Sequence, residues 1–217
     1  MNDTIISEIK ENKIIAIVRG ASNDKCSKIV EALYNGGIKF VEVTYNQAKP
    51  ETWEETAKTI GELVKEFEGK VHVGAGTVTN IKLVELTHEN GGEYIISPNT
   101  DVDVIKRTKE LGMVSMPGAL TPTEILTAYE AGADFVKLFP VGNMGASYVK
   151  AVRGPLNHIP MMAVGGVSEK NLKEFLDAGC VGAGIGGNLA KKDWIEAGEY
   201  EKLTEAAKDL VAIIKGE

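Results

Sequence analysis

The chain has 217 residues, 43% hydrophobic and 25% charged, with a formal net charge of −7, which is ordinary globular composition and enough chain for a substantial core. The acidic charge is spread along the sequence with no basic stripe, which argues against nucleic acid and anionic membrane as partners. No apolar run reaches the roughly 18 residues of a spanning helix, and the opening "MNDTIISEIKENK" lacks the basic start and apolar centre of a secretory signal. The two cysteines, Cys26 and Cys180, form no spaced motif and read as buried thiols rather than a bridge. A cytoplasmic protein is expected.

The segment before Lys13 reads as a helix. "KIIAIVRG" (13–20) is a first strand, followed by the helix pattern "NDKCSKIVEALYN". "IKFVEVT" is a second strand, followed by "PETWEETAKTIGELVKEFE", and "GKVHVGAGT" (69–77) a third. Helical segments ending in glycine then run straight into apolar strands. "VELTHENGG" precedes "EYIISP", "KELG" precedes "MVSMP", "TAYEAGA" precedes "DFVKLFP", and "FLDAGC" precedes "VGAGIGG". The glycines at 37, 92, 112, 132 and 179 stand where left-handed helix caps are expected. Their wide gaps hold "GKVHVGAGT" and a further strand, "IPMMAVGG" (159–166), giving eight strands each followed by a helix pattern. The end, "KKDW" and "EYEKLTEAAKDLVAIIKGE", reads as an amphipathic C-terminal helix with a solvated charged face. Eight βα units without a hairpin signal predict one (β/α)8 TIM barrel over residues 1–217, its bottom closed by the N-terminal helix. The alternative, an open doubly wound sheet, lacks a G-x-G-x-x-G opening its first helix.

Strand alternation sorts the side chains into two faces. In strand six, Phe135, Lys137 and Phe139 share one face and Val136 and Leu138 the other; in strand two, Phe40, Glu42 and Thr44 oppose Val41 and Val43. With the aliphatic faces on the helices, Glu42 and Lys137 point into the barrel. Arg19 lies near the top of strand one, and all three fall toward the C-terminal strand ends, where such barrels place their active sites. A structural ion pair is the bland explanation, yet a buried pair is a costly and weak stabilising device. The functional one is that a desolvated amine loses its proton and attacks carbonyls, with a carboxyl beside it to shuttle protons. Lys137 is then a Schiff-base lysine.

The set "IVRG" (17–20), "VEVT" (41–44), "VGAGTV" (73–78), "ISPN" (96–99), "MPG" (116–118), "KLFP" (137–140) and "AVGGV" (163–167), in register over residues 13–190, resembles a family of class I pyruvate aldolases. Its members act on 2-keto-3-deoxy-6-phosphogluconate (KDPG), 2-keto-3-deoxy-6-phosphogalactonate (KDPGal) or 4-hydroxy-2-oxoglutarate (KHG). The resemblance implies a homotrimeric barrel that splits a 2-keto-3-deoxy-6-phosphoaldonate into pyruvate and glyceraldehyde 3-phosphate, with no cofactor and no metal. It makes Lys137 the Schiff-base lysine and Glu42 the proton shuttle. Arg19 and Thr77 bind polar ends of the substrate, including the pyruvate carboxylate, and Pro98 shapes the pocket beside it. Gly165, Gly166, Gly186 and Gly187 offer main-chain N–H groups to the phosphate, a role also suggested by the usual phosphate site of the fold after strands seven and eight. The three histidines, His72, His88 and His158, show no ligand spacing, and His72 reads as a core residue.

Three departures bear on substrate. Asn46 stands where gluconate-type members have arginine, Val164 where they have threonine, and Gly187 or Asn188 where they have a phosphate-facing serine. The combination resembles the KDPGal branch. Losing a hydroxyl at 164 is worth about 1–1.5 kcal/mol, roughly tenfold in epimer preference. KHG or an unphosphorylated sugar acid remain alternatives, as do a phosphate-binding isomerase or epimerase and a non-catalytic barrel scaffold. Lys137 speaks against the isomerase.

Overall fold

The computed structural model describes residues 2–20 and 23–216. After α1 (Asn2–Asn12) come β1 (Ile14–Val18), α2 (Asn23–Asn35), β2 (Phe40–Thr44), α3 (Trp53–Glu66), β3 (His72–Gly76), α4 (Ile81–Glu89) and β4 (Tyr94–Ile96). The second half contains α5 (Val102–Glu110), β5 (Val114–Met116), β6 (Gly118–Ala119), α6 (Pro122–Glu130), β7 (Val136–Leu138), α7 (Gly145–Arg153) and β8 (Met161–Val164). It ends with α8 (Leu172–Asp177), β9 (Gly182–Ile185), α9 (Lys192–Ala197) and α10 (Tyr200–Lys215).

All strand pairs are parallel, in the order β5-β4-β3-β2-β1-β9-β8-β7-β6. β5 lies within the expected fifth strand, "MVSMP", and β6 follows beyond Pro117, which has no N–H for a ladder. β5 pairs with β4 and β6 with β7. The Lys137 N–H donates to Pro117 C=O at 2.9 Å, which carries the seam across the break and closes a TIM-type barrel.

Local chemistry starts the helices where they begin. Asn80 and Asp101 accept N–H groups of the first turns of α4 and α5, and Thr121 and Glu124 form a reciprocal capping box at α6. Gly37, Gly112, Gly132 and Gly179 take the left-handed conformation expected of them. After α4 that role falls to Gly91 (φ +78°), not to Gly92. Gly92 is instead a close-packing position, where a Cβ would lie 2.4 Å from Thr87 Cγ2.

Two hydrophobic clusters follow from the strand alternation. Val41, Val43, Val136 and Leu138 belong to the layer between strands and helices. Ile15, Phe40, Phe135 and Met162 fill the barrel with Ile5 and Ile9 of α1, which plugs the bottom. Each buried isoleucine contributes about 1.5–3 kcal/mol. The C-terminal segment differs from expectation. It is two helices, α9 and α10, separated at Gly198 (φ +73°), and α10 packs on α2 so closely that a Cβ on Gly36 would lie 2.3 Å from Ala207 Cβ. Cys26 and Cys180 are buried thiols, not a disulfide, and burial pushes them up to about 11 and about 12.

Candidate active site

Parallel register places the chemistry at one end of the barrel. Glu42 is level with Ile17 of β1 and Gly74 of β3, and Lys137 with Gly118 of β6 and Met162 of β8. Both side chains are buried, with 2% and 7% of their surface exposed. Glu42 fits because its neighbour lacks a side chain: a Cβ on Gly76 would lie 2.6 Å from Glu42 Oε1. Lys137 Nζ stands 4.8 Å from the centre of the Phe139 ring.

The two do not form the structural ion pair. Glu42 Oε2 is buried with no hydrogen-bond partner, and neither residue takes part in an ion pair among the described residues. An orphaned carboxyl oxygen is expensive in a folded interior and calls for a use. Loss of water drives the electrostatics. Burial raises the Glu42 pKa above the ordinary carboxylate value, against the opposing charges of Lys137 and Arg19. Burial lowers the Lys137 pKa, Glu42 opposes this and Arg19 adds to it. The site therefore shifts Glu42 toward the acid form that can give a proton and Lys137 toward the amine form that can attack.

Above them opens a cavity of about 1170 Å³. Arg19, Thr77, Pro98 and Val164, which lie at the ends of β1, β3, β4 and β8, line it with Glu42 and Lys137. Gly165, Gly166, Gly186, Gly187 and Asn188 form its other side. Gly165 and Gly166 have φ +86° and +82°, and a Cβ on Gly165 would press on the Phe139 ring at 3.0 Å. Only glycine takes this backbone and this approach without strain. Asn188 spends one amide hydrogen on the Val167 carbonyl at 2.8 Å, tying the loops after β8 and β9 together.

Two sequence-selected residues lie elsewhere. Asn46 lines a neighbouring cavity of about 620 Å³, where its side chain accepts the Ala48 N–H at 3.0 Å. His72 is not a core residue. It sits half-buried at the start of β3, at the opposite end of the barrel, bonded to Glu93 at 2.8 Å and to Glu8 of α1 at 2.9 Å, and stacked on Phe40. Lys25, Lys192, Ile195 and Glu196 line the main cavity and were missed. The signal was present, since α2 and α9 follow β1 and β9 at the C-terminal face. Amphipathicity alone assigned Lys192, in the C-terminal segment, to a solvated face. Among the described residues no cluster of three His, Cys, Asp or Glu side chains could hold a metal ion.

The family model "KDPG and KHG aldolase" matches residues 5–206. The 2-dehydro-3-deoxy-6-phosphogalactonate aldolase of Escherichia coli K12 is 38% identical over 177 residues, covering 81% of this chain and 83% of that protein. The solved native KDPGal structure is 34% identical and covers 94% of both chains with a TM-score of 0.84. A KDPG aldolase of Legionella pneumophila, solved with pyruvate captured as a covalent carbinolamine, shares the fold at 22% identity and a TM-score of 0.82, covering 91% of this chain and 93% of its own. The barrel, the lysine and carboxyl that share its cavity and these relatives agree that the chain belongs to the KDPG and KHG aldolase family and is a carbon–carbon lyase.

Proposed function

We propose that Lys137 forms the Schiff base in the cleavage of a 2-keto-3-deoxy-6-phosphoaldonate, with KDPGal preferred over KDPG, giving pyruvate and glyceraldehyde 3-phosphate. The observation that carries this is the buried Lys137 sharing one cavity with a carboxyl whose Oε2 has no hydrogen-bond partner among the described residues. The amine attacks the C2 ketone, and Glu42 gives a proton to the resulting hydroxyl, which leaves as water. The iminium is then the electron sink. Glu42, now a carboxylate, takes the C4 hydroxyl proton as the C3–C4 bond breaks, its electron pair passing into the iminium to leave an enamine and the aldehyde. Protonation at C3 and hydrolysis release pyruvate and restore the amine. The pyruvate carbinolamine captured in the Legionella relative corresponds to the last covalent intermediate of this route, formed as water adds to the pyruvate iminium.

Arg19 and Thr77 are assigned to the carboxylate and Pro98 to the wall beside it. Gly165, Gly166, Gly186 and Gly187 are assigned to the phosphate, with Asn188 bracing their loops. Lys25 and Lys192 in the same cavity favour a phosphorylated substrate over KHG or a free sugar acid. Val164 carries the epimer preference, whereas Asn46, in the adjoining cavity, acts through its loop and not by contact. A cytoplasmic homotrimer acting in carbohydrate breakdown completes the proposal, on family resemblance.

The test is intact mass after incubation with pyruvate and borohydride, followed by peptide mapping. A reduced pyruvyl adduct on Lys137 is expected, together with faster cleavage of KDPGal than of KDPG. A folded protein with no adduct would overturn the mechanism.

A further inference from the structure

Thr77 has φ +59°, a left-handed conformation that a β-branched residue adopts only when its surroundings impose it. Main chain holds both flanks. Gly76 C=O accepts the Tyr45 N–H at 3.0 Å, and the Val78 N–H donates to Ile96 C=O at 3.2 Å. The Thr77 carbonyl itself is held by one side chain, Gln47, whose Nε2 donates to it at 2.7 Å. The opposite end of the same amide, Oε1, accepts the Thr79 hydroxyl at 2.9 Å, so both of its partners agree on one orientation. Gln47 is also delivered by a stiffened loop, because Trp53 Nε1 donates to Asn46 C=O at 3.0 Å and Ala48 N–H to Asn46 Oδ1. Thr77 lines both cavities, so the turn that Gln47 clamps is part of the wall between them.

We infer that Gln47 is a positioning residue for the keto-acid end of the site: its amide clamps the left-handed turn that presents Thr77 to the cavity holding Lys137. This rests on the reading of Thr77 as a carboxylate contact. Gln47 is exposed and does not line the main cavity, so it acts only through Thr77. A clamp of this kind sets affinity for the keto acid and leaves the covalent step alone.

The experiment is pyruvate trapping on Lys137 by borohydride as a function of pyruvate concentration, in the parent protein, Gln47→Ala, Gln47→Glu, Thr77→Gly and Gln47→Ala/Thr77→Gly. Gln47→Glu keeps the acceptor for Thr79 but turns an oxygen toward the Thr77 carbonyl. In both Gln47 variants the half-saturating pyruvate concentration should rise about tenfold, the worth of one such hydrogen bond, with the saturating adduct yield unchanged. Glycine adopts the turn unaided, so adding Gln47→Ala to Thr77→Gly should change half-saturation less than about twofold. Unchanged half-saturation in Gln47→Ala overturns the inference, and so does an equal penalty with and without Thr77→Gly. An absent adduct in the parent protein instead overturns the Schiff-base reading, and this inference with it.

Discussion

Two ionisable side chains share the upper barrel without an ion pair between them among the described residues, and each is driven toward its uncharged form mainly by loss of water. A charged amine at Lys137 works against the fold, because the opposing attraction of Glu42 does not overcome the desolvation. Lys137→Met should therefore abolish cleavage and adduct formation while leaving the melting temperature unchanged or higher, read by a coupled assay and by calorimetry. A scaffold barrel would keep whatever ligand it binds through the same change. Val164 makes the complementary case for shape over charge. It is buried at the end of β8, beside the glycines assigned to the phosphate, and lines the substrate cavity. Val164→Thr restores a hydroxyl and should move the KDPG-to-KDPGal ratio of kcat/KM toward KDPG by about tenfold. An unmoved ratio would place epimer selection elsewhere in the cavity.

At the level of elements, α1 is both a hydrophobic plug and one side of an ionic latch. His72 is raised above its ordinary 6.5, foremost by its hydrogen bond to Glu93, with Glu8 adding to it and burial opposing. A histidine with a raised folded pKa contributes stability that is complete below the unfolded value and fades as pH rises through the folded one. The melting temperature should thus fall as pH is raised above 6.5, and His72→Gln should flatten that slope. Two carboxylates on one imidazole are invisible to strand periodicity, because Glu8 and Glu93 come from other elements, and so His72 read as core. The helices were easier to foresee. The "NDKCSKIVEALYN" pattern matches α2 residue for residue, since its apolar spacing meets the strand layer on one face. Glu42, Lys137 and Arg19 were legible because alternation in a strand is local. The orphaned Oε2, the turn at Thr77 and the break at Gly198 depend on what packs against them, and none leaves a periodic trace.

Over the whole molecule, charge is distributed against the substrate. The chain carries −7, yet the cavity that must admit a carboxylate and a phosphate is lined by Arg19, Lys25, Lys137 and Lys192. Lys25 and Lys192 come from α2 and α9, the helices that follow β1 and β9, and these two strands pair side by side. Lys192 is partly offset by Glu196 at 3.4 Å. At physiological salt the screening length is about 8 Å, so a cation at the mouth acts on the phosphate end far more than on the buried ketone. Lys25→Gln/Lys192→Gln should raise KM for the phosphorylated substrate roughly two- to fivefold, the scale of exposed charge interactions. The pyruvate dependence of borohydride trapping should stay the same, since pyruvate carries no phosphate. Salt titrations sharpen the comparison: added salt should weaken the parent protein more than the double variant, bringing their KM values together. Equal KM values at low salt would mean that the glycine main chain holds the phosphate without these lysines, leaving them as solvated charges.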